Sequence, residues 1–474
     1  MSGAPSSLHR VTVGPLVGAV SHSEARIFVR GNLPPESNEP RACFALLEWW
    51  KSSASPDSAC IRVAPLNPNF DLTTVFVLRG LEASTSYSYR VAWAFGETPL
   101  DPAAFAPLMD RGAGPVHRFR TAPDDAGTPQ RFAFGSCRYL LSLFGGSFFD
   151  DRGDKIFRSM QAQREAGEAL DFLMMIGDQI YADDLGPLHP AFHTQEYFKR
   201  YRVAFTQPHL RQLMASLPTY MTLDDHEIED GWPARANRKD RIRKYPAAIH
   251  AHVTYQLSHS PLFEVGERGI YGVPRKLWYT FERGCCAFFA FDVRTERVLN
   301  SEPKRMIGDA QFEALSDWLK RDEGRLKFVV SAVPFFPDFK GESDDKWSGF
   351  IEQRGEILDI IRQSRTPVVF LGGDLHFSLH ARLLCESDPQ LRVLSIVSSP
   401  FFWPYPHGRP SELALDQLLP TTSSARYRVQ GLSPIYRTDN FTRVQVEPQG
   451  DRWSLRIEVF GRKGDCLGAH SVTL

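Results

Sequence analysis

A β-sandwich followed by a layered α/β domain is the architecture predicted for this chain of 474 residues. Short apolar runs separated by Pro, Ser and Asn clusters fill residues 10 to 122, whereas from Arg131 onward apolar runs alternate with segments of helical period. Between them, Thr121 to Gln130 is polar and carries Pro123, Gly127 and Pro129, the composition of a linker. The chain is also too long for one ordinary core, so two domains are expected, over residues 1–122 and 131–474.

In the first domain, Arg26 to Arg30, Cys43 to Leu47 and Thr74 to Leu78 read as strands. Val11 to Val20 reads as another: it is apolar enough to suggest a signal peptide, but Pro15 interrupts it and Arg10 is the one cation before it. In Leu81 to Val91, Tyr87 stands near a strand start after a turn, which resembles the tyrosine corner of immunoglobulin-like and fibronectin type III domains. In the second domain the strand runs are Phe132 to Phe134, Phe172 to Ile176, Phe328 to Val330 and Val368 to Leu371. Ile307 to Leu319 reads as a helix, with Ile307, Phe312, Leu315 and Leu319 on one stripe. Strands return in Val393 to Val397, Thr442 to Val446 and Ser454 to Val459, completing the same domain.

Composition excludes several classes. A net charge of -1 supplies no field for a polyanion, which disfavours nucleic acid as a partner. The basic stretch Arg235 to Lys244 is read as a solvated helix face. No apolar run reaches the roughly 18 to 20 residues that span a bilayer, so no membrane partner is expected. With no export signal visible, the expected location is cytoplasmic. Seven cysteines without a CxxC pair argue against a disulfide framework or a zinc ribbon.

Four polar motifs each follow an apolar run: Phe134 to Cys137, Gly177 to Tyr181, Asp224 to Glu227 and Gly373 to His376. In an open α/β sheet such positions collect ligands. Asp374 and His376 are two apart in extended chain and so face one way, with Gly372 and Gly373 allowing close approach. Asp178 can bridge two metals through its two oxygens. Tyr181 is a rarer ligand whose phenol, with a reference pKa of about 10, ionises only on a strongly Lewis-acidic ion, for which trivalent iron is the candidate. Cys137 needs a metal or a cation to stay a thiolate, and Arg138 is adjacent. Asp224 to Asp230 packs five carboxylates and His226 into seven positions, which is unfavourable without a cation.

Each motif alone also has a plain structural reading: Asp374 as a turn cap, Tyr181 as a loop-capping aromatic, the acidic run as a helix start or solvated loop. A rival catalytic reading makes Cys137 a nucleophile with His226 or His376 as its base, but leaves Asp178, Asp374 and the Asp224-Asp225 pair without work.

Together these motifs resemble the alkaline phosphatase D (PhoD-like) family of metallophosphatases over almost the whole chain. Phe291 to Arg297, Met306 to Gln311 and Ser395 to Pro400 add to the match. The resemblance implies a four-layer α/β/β/α sandwich preceded by an immunoglobulin-like β-sandwich. It implies Fe(3+) held by Cys137, Asp178, Tyr181 and His376, with Ca(2+) or another divalent cation shared through Asp178 and Asp374 and drawing on Asp225 and Asp230. The family pattern has Asn at the position of Asp230. The implied reaction is hydrolysis of small phosphate monoesters or diesters by metal-activated hydroxide; His226 would protonate the leaving oxygen or hold Asp225 and the substrate, and Arg138 or Arg294 would neutralise phosphate. Another ester, or binding without catalysis on the same fold, are the alternatives.

Overall fold

The computed structural model describes residues 8–32, 42–96, 114–140, 142–143, 148–149, 151–183, 190–266, 272, 274–341, 344–405 and 408–474. The chain forms two compact units: Met1–Asp124 with Tyr201–Tyr220 and His250–Arg275, and Asp125–Arg200 with Met221–Ile249 and Lys276–Leu474.

In the first unit two antiparallel sheets make a β-sandwich. One sheet runs Val13–Val20, Glu24–Arg30, Thr73–Arg79, and the other Cys60–Pro65, Ala42–Lys51, Ser86–Gly96, His117–Arg120. Alternate residues such as Ile27, Phe76, Ala45, Leu47, Val91 and Trp93 meet in one core. The predicted corner is present: the Glu82 backbone N–H donates to the Tyr87 hydroxyl at 3.0 Å.

The unit extends past residue 122 because later segments satisfy its buried polar groups. Asp71, 5% exposed, accepts from Arg30 Nε at 2.9 Å and Arg202 Nε at 2.7 Å, and the Tyr255 hydroxyl donates to it as well. Arg211 Nε donates to the Gly14 carbonyl at 2.7 Å. Removing one partner would leave the buried Asp71 carboxylate less fully compensated.

Two histidines of this unit make its stability depend on pH. Burial, reinforced by its neighbour His259, lowers His252 to about 3, and burial lowers His259 to about 4. In the unfolded chain both titrate near 6.5, so below that pH the unfolded state binds more protons. Stability is complete above pH ~6.5 and is expected to fall by about 2 kcal/mol for each histidine between pH 7 and pH 5. Urea unfolding across that range should show the loss, and a His259→Gln variant should show a shallower one.

In the second unit two sheets stack face to face. The first has the order Thr219–Thr222, Phe172–Ile176, Gln130–Gly135, Asn440–Gln449, Arg452–Gly461, Cys466–Thr473. The second has the order Tyr279–Arg283, Cys286–Ala290, Leu326–Ser331, Val368–Gly372, Val393–Val397, Leu379–Cys385, Tyr427–Gly431. Phe132 packs edge to face on Phe288 and Phe328 at 5.6 and 5.5 Å, so the layer between the sheets is largely aromatic. The opposite face of the second sheet, including Phe289, Val329 and Phe370, is covered by helices Asp309–Lys320 and Ile351–Ser364 through Leu315, Trp318, Ile357 and Leu358. Helix Arg152–Glu165 serves the first sheet, where Arg443 Nη1 donates to Gln163 Oε1 at 3.2 Å. The result is an α/β/β/α sandwich.

The predicted helix starts at Asp309, because Gln353 Oε1 instead takes the Met306 and Ile307 backbone N–H groups at 2.8 and 3.1 Å. The basic stretch is not wholly solvated: Lys244 is buried between Glu229 and Asp240. Among the described residues no helix is long and apolar enough to cross a membrane.

Candidate metal centre

All four motifs lie at carboxyl ends of strands in the second unit. Cys137 follows Gln130–Gly135, Asp178 follows Phe172–Ile176, Asp224 follows Thr219–Thr222, and Asp374 follows Val368–Gly372. The chain turns sharply at these ends. Of nine described non-glycine residues at positive φ, four are predicted site residues: Cys137 (56°), Asp178 (55°), Asp374 (65°) and His376 (56°). L-residues enter that region only where the surroundings hold them there, a pattern that gathers at functional sites. Gly177 is required on two counts: its φ is 95°, and a Cβ would stand 2.5 Å from that of Asp224.

Glu227 ties the ends together. Its Oε2 accepts the backbone N–H groups of Asp178 and Asp224, each at 3.0 Å, and its Oε1 accepts that of Gln179 at 2.7 Å. Ser136 Oγ accepts from the Asp374 backbone N–H at 3.1 Å, and Ser399 Oγ from that of His376 at 3.1 Å.

Two overlapping sets of metal-capable atoms result, each with all members within 4.8 Å of one another: Asp178, Asp225 and His226, and Asp178, Asp224, Asp225 and Asp374. Asp178 belongs to both. Its Oδ2 also accepts from Cys137 Sγ and from the Tyr181 hydroxyl, each at 3.4 Å. His376 stands outside both sets, with its ring tilted 33° against that of Trp403 at 3.9 Å between centroids. Asp230 stands outside as well, its side chain 53% exposed and paired with Arg235.

Cations hold some of this charge. The fully buried Arg294 bonds Asp224 through Nε, approaches Asp225 at 3.3 Å and pairs with Asp345. Lys346, 6% exposed, bonds Asp374 and reaches Asp345 at 2.6 Å. For Asp345 burial is outweighed by Arg294, Lys346 and Arg297, and its carboxyl sits well below the usual range.

The centre itself remains short of positive charge. Burial, then the neighbouring carboxylates, push Asp178 well above the usual range; burial also raises Asp224 despite Arg294. Burial followed by Asp178 does the same to the Cys137 thiol and the Tyr181 phenol. At His226 burial is outweighed by Asp225, Asp178 and Asp183, so the imidazole is held in its charged form well above its ordinary value. Asp178 Oδ1 and Asp224 Oδ2 are buried and have no hydrogen-bond donor among the described residues, and Asp225 Oδ1 has the ion-pair approach of Arg294 without a formed hydrogen bond. A polyvalent cation supplies what these oxygens lack, and it would also favour ionised Cys137 and Tyr181. The donor set therefore fits a metal.

Arg138 does not join the carboxylates. It is fully buried beside helix Arg152–Glu165, its guanidinium 5.5 Å from the Phe157 ring centre. Burial lowers it to about 10, against the attraction of Asp154. Arg294 lies at the centre, but its described partners are carboxylates and the Trp232 carbonyl.

Sequence reasoning gave no role to Asp183, Glu227, Asp345 or Lys346. Asp183 Oδ2 accepts the Asp230 backbone N–H at 2.8 Å and meets His226 Nδ1 at 2.9 Å. Its position two residues after Tyr181 was the available signal. Asp345 and Lys346 fall in the loop Asp338 to Phe350, where no motif marks them.

Alkaline phosphatase D of Bacillus subtilis (strain 168) is 23% identical over 321 residues, covering 57% of this chain and 50% of that protein. The chain thus spans about half the length of the curated relative it matches. A solved structure of PhoD superposes with a TM-score of 0.67 at 18% identity, covering 100% of this chain and 90% of the other. The purple acid phosphatase PPD1 from yellow lupin (Lupinus luteus) seeds gives 0.60 at 11% identity, covering 96% and 73%. Both share the metallophosphatase fold. Since the PhoD-like phosphatase model matches residues 136–412, more than half of the sequence and every one of the four motifs from Ser136 onward, this chain belongs to the PhoD-like phosphatase family.

Proposed function

We propose that the chain is a metal-dependent hydrolase of small phosphate monoesters or diesters. The observation that carries this reading is Asp178: one buried carboxylate shared by two ligand sets, with a thiol and a phenol on the same oxygen. Cys137, Asp178, Tyr181 and His376 would hold Fe(3+), because thiolate and phenolate together suit a strongly Lewis-acidic ion. Asp178, Asp225 and Asp374 would hold Ca(2+) or another divalent cation through oxygen. When bound, these ions supply charge to the phosphate oxygens and acidity to a water nucleophile.

The chain's own residues would supply the remainder. Nδ1 of His226 is engaged by Asp183, leaving Nε2 as the nitrogen that passes a proton to the leaving oxygen. Arg294 acts as a positioning residue by holding Asp224 and Asp225 in place. Lys346, beside Asp374, takes the phosphate-neutralising part for which Arg138 is badly placed.

The test is turnover of a chromogenic phosphate ester by the full chain, lost on chelation and restored by metal. The iron assignment predicts a violet tyrosinate-to-iron absorption that Tyr181→Phe removes. Turnover insensitive to chelation but abolished by thiol alkylation would instead favour Cys137 as a nucleophile. Zinc with no visible band would overturn the iron.

A further inference from the structure

We propose that Tyr139, Trp403 and Tyr405 form a docking surface for a flat aromatic group on the ester, so that aryl and nucleoside phosphates are preferred to aliphatic ones. This deepens the phosphate-ester reading and rests on it.

The surface begins at the candidate centre. The Trp403 ring lies 3.9 Å from that of His376 and 5.8 Å from that of Tyr181, centroid to centroid. It continues outward to Tyr405 at 5.2 Å. Tyr139 closes the cluster, 5.9 Å from Trp403, 5.5 Å from Tyr405 and 5.1 Å from Tyr181. The Tyr405 hydroxyl donates to that of Tyr139 at 3.4 Å, which orients the outer ring.

Two features are poorly explained by packing alone. Tyr405 is 44% exposed, among the few large apolar side chains so displayed among the described residues. The indole Nε1 of Trp403 is buried and has no hydrogen-bond partner among the described residues. A buried donor without an acceptor is costly, and an acceptor on a bound ligand would relieve it. Tyr405 meets both Trp403 and Tyr139 edge to face, at 67° and 69°, the preferred geometry for rings that add one more aromatic neighbour. An arrangement that runs from a metal-ligand candidate to an exposed ring suits a substrate whose phosphorus sits at the centre and whose organic group lies along the wall. A saturated alcohol would gain far less from it, because stacking depends on a π-face.

The experiment compares phenylphosphonate with methylphosphonate, neither of which carries a hydrolysable ester bond, by calorimetry on the metal-loaded full chain. Phenylphosphonate is expected to bind roughly fivefold to tenfold more tightly, as one added aromatic contact allows. Tyr405→Leu, at an exposed position and keeping apolar area, should reduce that ratio to about twofold or less. Trp403→Phe, which keeps a ring but removes the N–H, should weaken both phosphonates. Equal affinity in the parent protein, or a preference untouched by Tyr405→Leu, overturns the proposal. A second arm compares kcat/KM for phenyl phosphate, adenosine 5′-monophosphate and glycerol phosphate: a preference for the first alone assigns the surface to aryl groups, and one for both extends it to nucleosides. If no ester is turned over while the phosphonate preference persists, the phosphatase reading fails and the aromatic site stands.

Discussion

Asp178→Ala is expected to release the bound metal and to lower kcat/KM for a chromogenic phosphate ester by at least about a thousandfold, the several kcal/mol that metal-ion catalysis contributes. The reason is geometric. Asp178, like Asp225, lies in both ligand sets, and its Oδ2 also takes the Cys137 thiol and the Tyr181 hydroxyl, so its loss breaks both sets at once, whereas loss of Asp374 breaks one. The same substitution should have the opposite effect on the metal-stripped fold. Without a cation, a fully buried Asp178 beside Asp224, Asp225 and Glu227 is a liability, so stripped Asp178→Ala should unfold at slightly higher urea than the stripped parent, by about 1 kcal/mol. Elemental analysis, turnover and urea unfolding on the same samples check the three parts. Full activity in the variant would sink the metallophosphatase mechanism.

Arg294→Met should destabilise the protein by about 3 to 5 kcal/mol, the usual cost of removing one member of a buried charge network. Arg294 is fully buried, and the substitution leaves Asp224, Asp225 and Asp345 without the cation they share. Methionine of similar length fills the space, so the loss reports charge and hydrogen bonding more than a cavity. Arg294→Lys should recover only part of it, since one ammonium cannot reproduce the planar fork that reaches three carboxylates. Urea unfolding of the metal-loaded proteins measures both. A loss below about 1 kcal/mol for Arg294→Met would mean that the three carboxylates are compensated by other groups.

The strands were legible because each is short, apolar and bounded by turn residues. Phe172–Ile176 and Val368–Gly372 needed nothing from the rest of the chain to be recognised. Tyr87 was legible for a similar reason, since the corner is closed within five residues, between Glu82 and Tyr87. The segments Tyr201–Tyr220 and His250–Arg275 were not. Their membership in the first unit depends on Arg202 and Tyr255 reaching Asp71, more than 130 positions away, and local periodicity carries no trace of such a partner.

At the site, residue type and strand-end position were readable, and orientation was not. Arg138 and Arg294 looked equivalent as cations near motifs; one turns toward Phe157 and the other enters the carboxylates. Asp230 looked equivalent to Asp225, five residues away, yet it faces Arg235 at the surface while Asp225 Oδ2 accepts the Gly231 backbone N–H at 2.7 Å. Asp345 and Lys346 carry no motif at all, because the salt bridges of Lys346 to Asp374 and Asp345 require only charge and proximity.

By itself, the sequence determined the order of the strands along the chain, the places where polar residues follow them, and the kinds of donor available there. Those depend on neighbours within a few positions. Tertiary structure decided which carboxylates share a centre, which cations are consumed in holding them, and which aromatic rings border it. The electrostatic interactions that sort those groups act through space and at short range, so they are set by the stacking of two sheets and not by spacing along the chain.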